Sequence, residues 1–190
     1  MADCVDLLRS IGASCAALEQ VGGVNKRVWL TQLSQIDSST KDADGYVNTI
    51  VMGNDGSDDY KLVTITGKKF SHNGAIEGVI GANVNLVSHT AVLKLFTETP
   101  TQRTNVLAMF KAHELVVFFE TESGNIEIYG FDKGMEASAL AGGTGTALQD
   151  DTSITLTLKG EQTVLPDYFL AGGTLATSIA YLDAISAPVV

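Results

Sequence analysis

A chain of 190 residues is long enough for one domain with a sizeable core, or one domain with extensions. Hydrophobic residues make up 45% and charged residues 18%, against nearer a quarter charged in an ordinary soluble domain, so much of the surface must be neutral and rich in Gly, Ala, Ser and Thr. The formal net charge of −10 argues against a sequence-independent grip on DNA or on an anionic membrane, because such binding needs Lys and Arg to displace counterions.

In chain order, the first segment carries apolar residues at Cys4, Leu7, Leu8, Ile11, Cys15 and Leu18, a spacing that fits one face of a helix. Asp3 can cap its start and Gly22-Gly23 would stop it. The two cysteines, Cys4 and Cys15, match no metal or redox spacing and read as plain thiols. No basic region followed by an apolar run opens the chain, so no signal peptide is expected. No stretch approaches the roughly 20 apolar residues needed to span a bilayer. The expectation is synthesis in a cytoplasm. The tight basic pairs are Lys26-Arg27 and Lys68-Lys69, neither large enough to be a patch.

The chain then turns to β. Arg27 to Leu33 (RVWLTQL), Tyr46 to Met52 (YVNTIVM) and Tyr60 to Thr66 (YKLVTIT) are rich in strand formers. Between the last two lies the acidic turn GNDGSDD, Gly53 to Asp59. Glu77 to Ser88 (EGVIGANVNLVS) and Thr90 to Thr97 (TAVLKLFT) read as two long strands or one bent one, with bulges or bends at Gly78 and Gly81. Thr99-Pro100-Thr101-Gln102 opens a helix: Thr99 is the N-cap, Pro100 the first helical residue, and Gln102 completes a capping box. Val106, Leu107, Met109 and Phe110 supply its apolar face, and it should end near His113. Leu115 to Glu120 (LVVFFE) and Asn125 to Phe131 (NIEIYGF) read as a hairpin around Thr121 to Gly124. Thr152 to Leu158 (TSITLTL) and Tyr168 to Leu170 are the last strands.

Strands that do not alternate with helices exclude a doubly wound parallel sheet. The pattern predicts a single domain over 1–190, mainly β: a β-sandwich or partly closed barrel with one flanking α-helix. Residues 132–150 are expected to be a long inter-subunit loop, and 171–190 an apolar C-terminal arm.

Chemistry-bearing constellations are sparse. Gly142-Gly143-Thr144-Gly145-Thr146 has the texture of a phosphate loop, but a strand-like segment follows it instead of a helix, and no Gly-Lys-Ser/Thr is present. The run Ala137 to Ala147 has the composition of a mobile connector. His72, His89 and His113 fall in no metal-binding spacing, and His113 beside Glu114 suits a helix C-terminus. Asp55, Asp58 and Asp59 lack the spacing of a calcium loop and read as a solvated turn. Neither Gly-x-Ser-x-Gly nor Ser-x-x-Lys occurs, and Trp29 is the sole tryptophan. No catalytic residue, cofactor site or metal site is therefore assigned, and the chain is read as a non-enzyme.

The order of a strand-rich N-terminal half, a long strand pair, a capped helix, a strong hairpin, a Gly-rich excursion and a final strand resembles the tail tube (major tail) proteins of tailed bacteriophages and the tube proteins of contractile injection systems. The stretches Cys15 to Leu30 (CAALEQVGGVNKRVWL) and Gly142 to Gly160 (GGTGTALQDDTSITLTLKG) are similar in wording to small virion structural proteins of phages of Bacteroidetes-type bacteria. The helical N-terminus departs from that pattern.

This resemblance implies a structural virion protein in the phage tail. Copies of the chain would form hexameric rings that stack, with hairpins of neighbouring copies joined into a closed barrel around a channel. DNA would pass through without being specifically bound. Other tail or connector proteins are the implied partners, and no membrane is involved. The strand pair within Glu77 to Thr97 would face the channel. A capsid decoration or head–tail connector protein and a soluble β-sandwich ligand-binding module are the competing readings. The latter would show a concave, aromatic-lined cleft.

Overall fold

The computed structural model describes residues 23–54, 60–81, 84–96, 99–143 and 153–187. Among the described residues the fold is mainly β, with two sheets and two helices. The N-terminal helix predicted from Cys4 to Leu18, and the acidic turn of Asp55, Asp58 and Asp59, lie outside the described residues.

The described residues form eleven strands: β1 Val24–Gln32, β2 Ile36–Lys41, β3 Val47–Met52, β4 Val63–Thr66, β5 Asn73–Ile80, β6 Asn85–Leu95, β7 Leu115–Thr121, β8 Ile126–Tyr129, β9 Glu136–Gly143, β10 Ser153–Gln162 and β11 Asp167–Phe169. Helix α1, Pro100–Lys111, links β6 to β7, and α2, Leu175–Ala184, follows β11. The larger sheet has seven strands in the order β2-β3-β11-β8-β7-β1-β4, and the smaller has four in the order β5-β6-β10-β9. They pack as a sandwich and do not close into a barrel.

The central strands of the seven-stranded sheet are buried on both faces, while its outer strand β2 is exposed. Toward the smaller sheet, Val28, Leu30, Val117, Phe119 and Tyr129 meet Leu93, Leu95, Leu156 and Leu158. On the other face, Trp29, Ile50, Val116, Phe118, Ile128 and Phe169 are roofed by α2 through Leu182. This explains the unbroken apolar run of β7: a central strand covered on both sides needs no polar alternation.

Helix α1 begins as the sequence predicts. The Thr99 side chain accepts from the Gln102 N–H at 3.2 Å, and the Gln102 Oε1 accepts from the Thr99 N–H at 3.1 Å. Its apolar face is narrower than predicted. Val106 is buried and Met109 packs against the core, whereas Leu107 and Phe110 are exposed.

Three further expectations are corrected. Residues 132–150 are not one long loop, because Glu136–Gly143 forms β9. Its Ala and Gly residues have low strand propensity, but the long β10 supplies a ladder that imposes pairing from Ser153↔Gly143 to Lys159↔Glu136. Residues 171–190 are not a free arm as far as 187. Thr174 and Thr177 form a capping box for α2. The Tyr181 hydroxyl then donates to the Ile50 carbonyl at 2.8 Å, and Asp183 accepts from Trp29 Nε1 at 3.0 Å and from Arg27 at 2.8 Å. Finally, Glu77 to Ser88 is not one strand: β5 ends at Ile80 and β6 begins at Asn85, paired antiparallel. β5 pairs without a register shift through Gly78, so Gly78 marks no bulge, while Gly81, also read as a bulge or bend, follows the end of β5.

Candidate functional site

The four-stranded sheet is the part of the molecule left unfinished. All its neighbours are antiparallel, so β5 and β10 run one way and β6 and β9 the other. The two outermost strands, β5 and β9, are each eight residues long and run in opposite directions. Among the described residues neither outer edge has a strand partner, so each presents a row of ladder N–H and C=O groups.

The sheet also overhangs its core. Alternation places Gly74, Ile76 and Ile80 on the face of β5 that looks toward the larger sheet, together with Ala91, their cross-strand neighbour's core residue. Yet Ile76 is 51% exposed and Ile80 89%, because the larger sheet does not reach them. On the opposite edge Leu140 pairs with the buried Leu156 and is 40% exposed. Val84 in the β5–β6 turn is exposed too. At the start of β5 the layers touch: a Cβ on Gly74 would lie 2.6 Å from Cζ of Tyr129, so this glycine lets the tyrosine ring sit on the strand backbone.

The solvent face of the sheet is neutral in character. The register places Asn73, Ala75, Thr90, Val92, Thr155, Thr157, Ala139 and Ala141 there. Three carboxylates (Glu77, Glu136, Glu161) stand against two ammonium groups (Lys94, Lys159), a net −1 per copy. The overall charge of −10 is thus not concentrated on this face.

Other residues singled out by the sequence are scattered. Gly142-Gly143 end β9, and Thr144 to Thr146 lie outside the described residues, as do Cys4 and Cys15. Among the described residues the next element after the glycines is β10. Trp29 is fully buried beneath α2 and offers no platform. Lys69 pairs with Glu122, and Arg27 with Asp183. His113 is exposed beyond α1 and faces Glu136 at 3.4 Å. Among the described residues no group of three His, Cys, Asp or Glu could hold a metal ion, and no helix is long and apolar enough to cross a membrane.

His72 and His89 are buried, at 3% and 1% exposure. Burial pulls His72 from its usual 6.5 down to about 4. His89 is also lowered by burial, against the opposing pull of its bond to the Val164 carbonyl and of Asp167 and Asp132. Tyr129 is raised by burial and by Glu127, which accepts its hydroxyl at 3.1 Å.

No known protein family, no characterised protein and no solved structure matches the chain. Its function therefore rests on its own residues.

The open edges left no signature in the sequence. An edge is a tertiary property, and only the unusual composition of β9, EASALAGG, and the glycines of β5 hinted at strands without packed flanks.

Proposed function

We propose that this chain is a self-assembling structural subunit, of the tail-tube kind, that acts without catalysis in a phage virion. One observation carries the reading: among the described residues the outermost strands of the smaller sheet, β5 and β9, are of equal length and opposite direction and neither has an outer strand partner. A copy laid beside another in the same orientation brings β9 of one against β5 of the next as an antiparallel pair. The contact uses two different surfaces, so it is heterologous and repeats until a ring closes. Closure satisfies every ladder group and removes the edges.

The apolar overhang supports the same arrangement. Ile76 and Ile80 of one copy and Leu140 of the next lie on the core-facing side of such a joined sheet, where each would cover the other's exposed surface. Hexameric rings stacked around a channel are the form proposed. The Thr- and Ala-rich solvent face would line it, with only Lys94 and Lys159 to hold a phosphate, so DNA would pass with little retention.

Electron microscopy of the purified protein at rising concentration tests the reading. Stacked rings or hollow tubes are expected. Single particles at every concentration, persisting when tail-tip components are added, would overturn it in favour of a decoration protein or a ligand-binding module.

A further inference from the structure

The two sheets are stapled together at one end by polar groups, and the staple is built around a histidine. The turn that leaves β8, residues 130–134, lies against the end of β10. Gln162, fully buried, accepts from the backbone N–H of Asp132 at 3.2 Å and of Lys133 at 2.8 Å, and donates to the Gly134 carbonyl at 2.7 Å. Asp132 accepts from the Thr163 N–H at 3.1 Å and from its hydroxyl at 2.5 Å. His89 of β6 completes the set. Its Nδ1 lies 3.2 Å from the Gly130 N–H, and its Nε2 lies 3.0 Å from the Val164 carbonyl.

These two partners fix the state of the ring. A backbone N–H can only donate, so Nδ1 must carry a lone pair. A carbonyl can only accept, so Nε2 must carry the proton. The imidazole is therefore neutral and in one tautomer, held edge-on to Tyr129 with ring centroids 5.4 Å apart. A second proton would go to Nδ1 and set two N–H groups against each other across 3.2 Å in a buried site.

We infer that His89 is a proton-operated latch that holds the β8 turn and the β10–β11 connection to the smaller sheet while neutral, and releases them when protonated. Gly130 closes the larger sheet's β8, and Val164 belongs to the connection that carries the chain back into that sheet as β11. Losing the Gly130 bond frees the first, and turning the ring to relieve the clash frees the second. The ionisable groups facing this site are Tyr129 and Glu127 from β8, Asp132 and Lys133 from the following turn, and Asp167 at the start of β11. The two aspartates favour a charged ring once the site opens, which makes the released state the one that holds the proton. Exposed Val164 and Leu165 lie on the freed connection, so release would loosen an apolar patch at this end of the sandwich.

The test is a pH series from 7.5 to 4.5 on the intact chain, combining imidazole ¹⁵N shifts with amide hydrogen exchange. At pH 7.5 the His89 ring should show the Nε2–H tautomer. As pH falls below 6.5 its protonation should coincide with at least a tenfold loss of protection at the Gly130 amide, while Phe118 in the middle of β7 keeps its protection. A His72→Gln chain removes the other buried histidine from the comparison and should behave the same at Gly130. Where that variant fails to fold, the wild-type ring titration read against the Gly130 amide shift decides alone. An Nδ1–H tautomer at neutral pH, protonation of His89 without loss at Gly130, or equal loss at Gly130 and Phe118 would each overturn the latch.

Discussion

The two sheets answer the same problem, the burial of an apolar face, in different ways. The seven-stranded sheet is covered on one side by the smaller sheet and on the other by α2, and its central strands are apolar on both faces. The four-stranded sheet is covered on one side only, and it extends past its cover at both edges. The first has a core covered on both faces, although its own outermost strands, β2 and β4, also lack an outer strand partner among the described residues. The second has exposed apolar side chains, and outermost strands without a further strand partner, within the described residues. If the proposed assembly holds, stability and assembly are separated in space, and substitutions in the two regions should have different consequences.

The largest effect on stability is expected in the finished core. Phe118 is fully buried between β8 and α2, edge-on to Phe169 at 6.3 Å. Phe118→Ala removes that contact and leaves a cavity in a layer closed on both sides, with an expected loss of about 3–5 kcal/mol. Urea denaturation followed by tryptophan fluorescence is a suitable measurement, because Trp29 lies in the same cluster. A loss under about 1 kcal/mol would mean that α2 does not seal this face as described.

A smaller, pH-dependent effect is expected where the layers meet. His72 accepts the Lys94 N–H at Nδ1, 3.3 Å away, and its Nε2 has no hydrogen-bond partner among the described residues. Its folded pKa of about 4 lies below the unfolded value of 6.5. Between those values the unfolded chain binds a proton that the folded chain refuses. Stability is therefore highest above pH 6.5 and declines as pH falls toward 4, where the folded ring also titrates and the decline stops. The full window corresponds to about 3 kcal/mol. His72→Gln should flatten this part of the stability–pH curve. An unchanged slope would assign the acid sensitivity elsewhere.

The same division explains what could be read from the sequence. The finished parts were legible because local chemistry and tertiary role agree there. The capping box at Thr99 and Gln102, and the hairpin of β7 and β8 around Thr121 to Gly124, both stand where the pattern put them. The α2 helix was legible in principle: Thr174 and Thr177 make the cap, and Leu175, Ile179 and Leu182 follow at helical spacing. The paired glycines before it and the apolar tail after it drew attention to an arm instead. β2, with the sequence IDSSTK, carries almost no apolar signal because it is an exposed outer strand held by β3. β9 is invisible for a related reason, since its pairing comes from β10 and not from its own alanines and glycines. The break between β5 and β6 was legible in part: Gly81 was read as a bulge or bend, but not as the end of a strand, because the apolar pattern resumes soon after it. The open edges themselves follow from which strands lack neighbours, and no local pattern encodes that.

The smallest effect on the isolated chain is expected at the overhang, and it sharpens the comparison most. Ile80 is 89% exposed and Ile76 51%, so Ile76→Lys and Ile80→Lys together remove little buried surface. Substitutions at exposed positions ordinarily change stability by less than about 0.5 kcal/mol each. Assembly should respond differently. In a ring these positions would lie beside Leu140 of the adjacent copy, and each lysine would place a charge in an apolar seam at every junction, repeated around the ring. Inward-pointing lysines on an edge strand are also a device by which natural sheets block edge-to-edge pairing. The double variant is therefore expected to melt within a few degrees of the parent while failing to form rings under conditions where the parent does, as read by light scattering and microscopy. Unimpaired ring formation would remove the β5 edge from the interface even if the protein assembles. A large drop in melting temperature would show that the overhang belongs to the core after all, and the separation between a finished and an unfinished sheet would not hold.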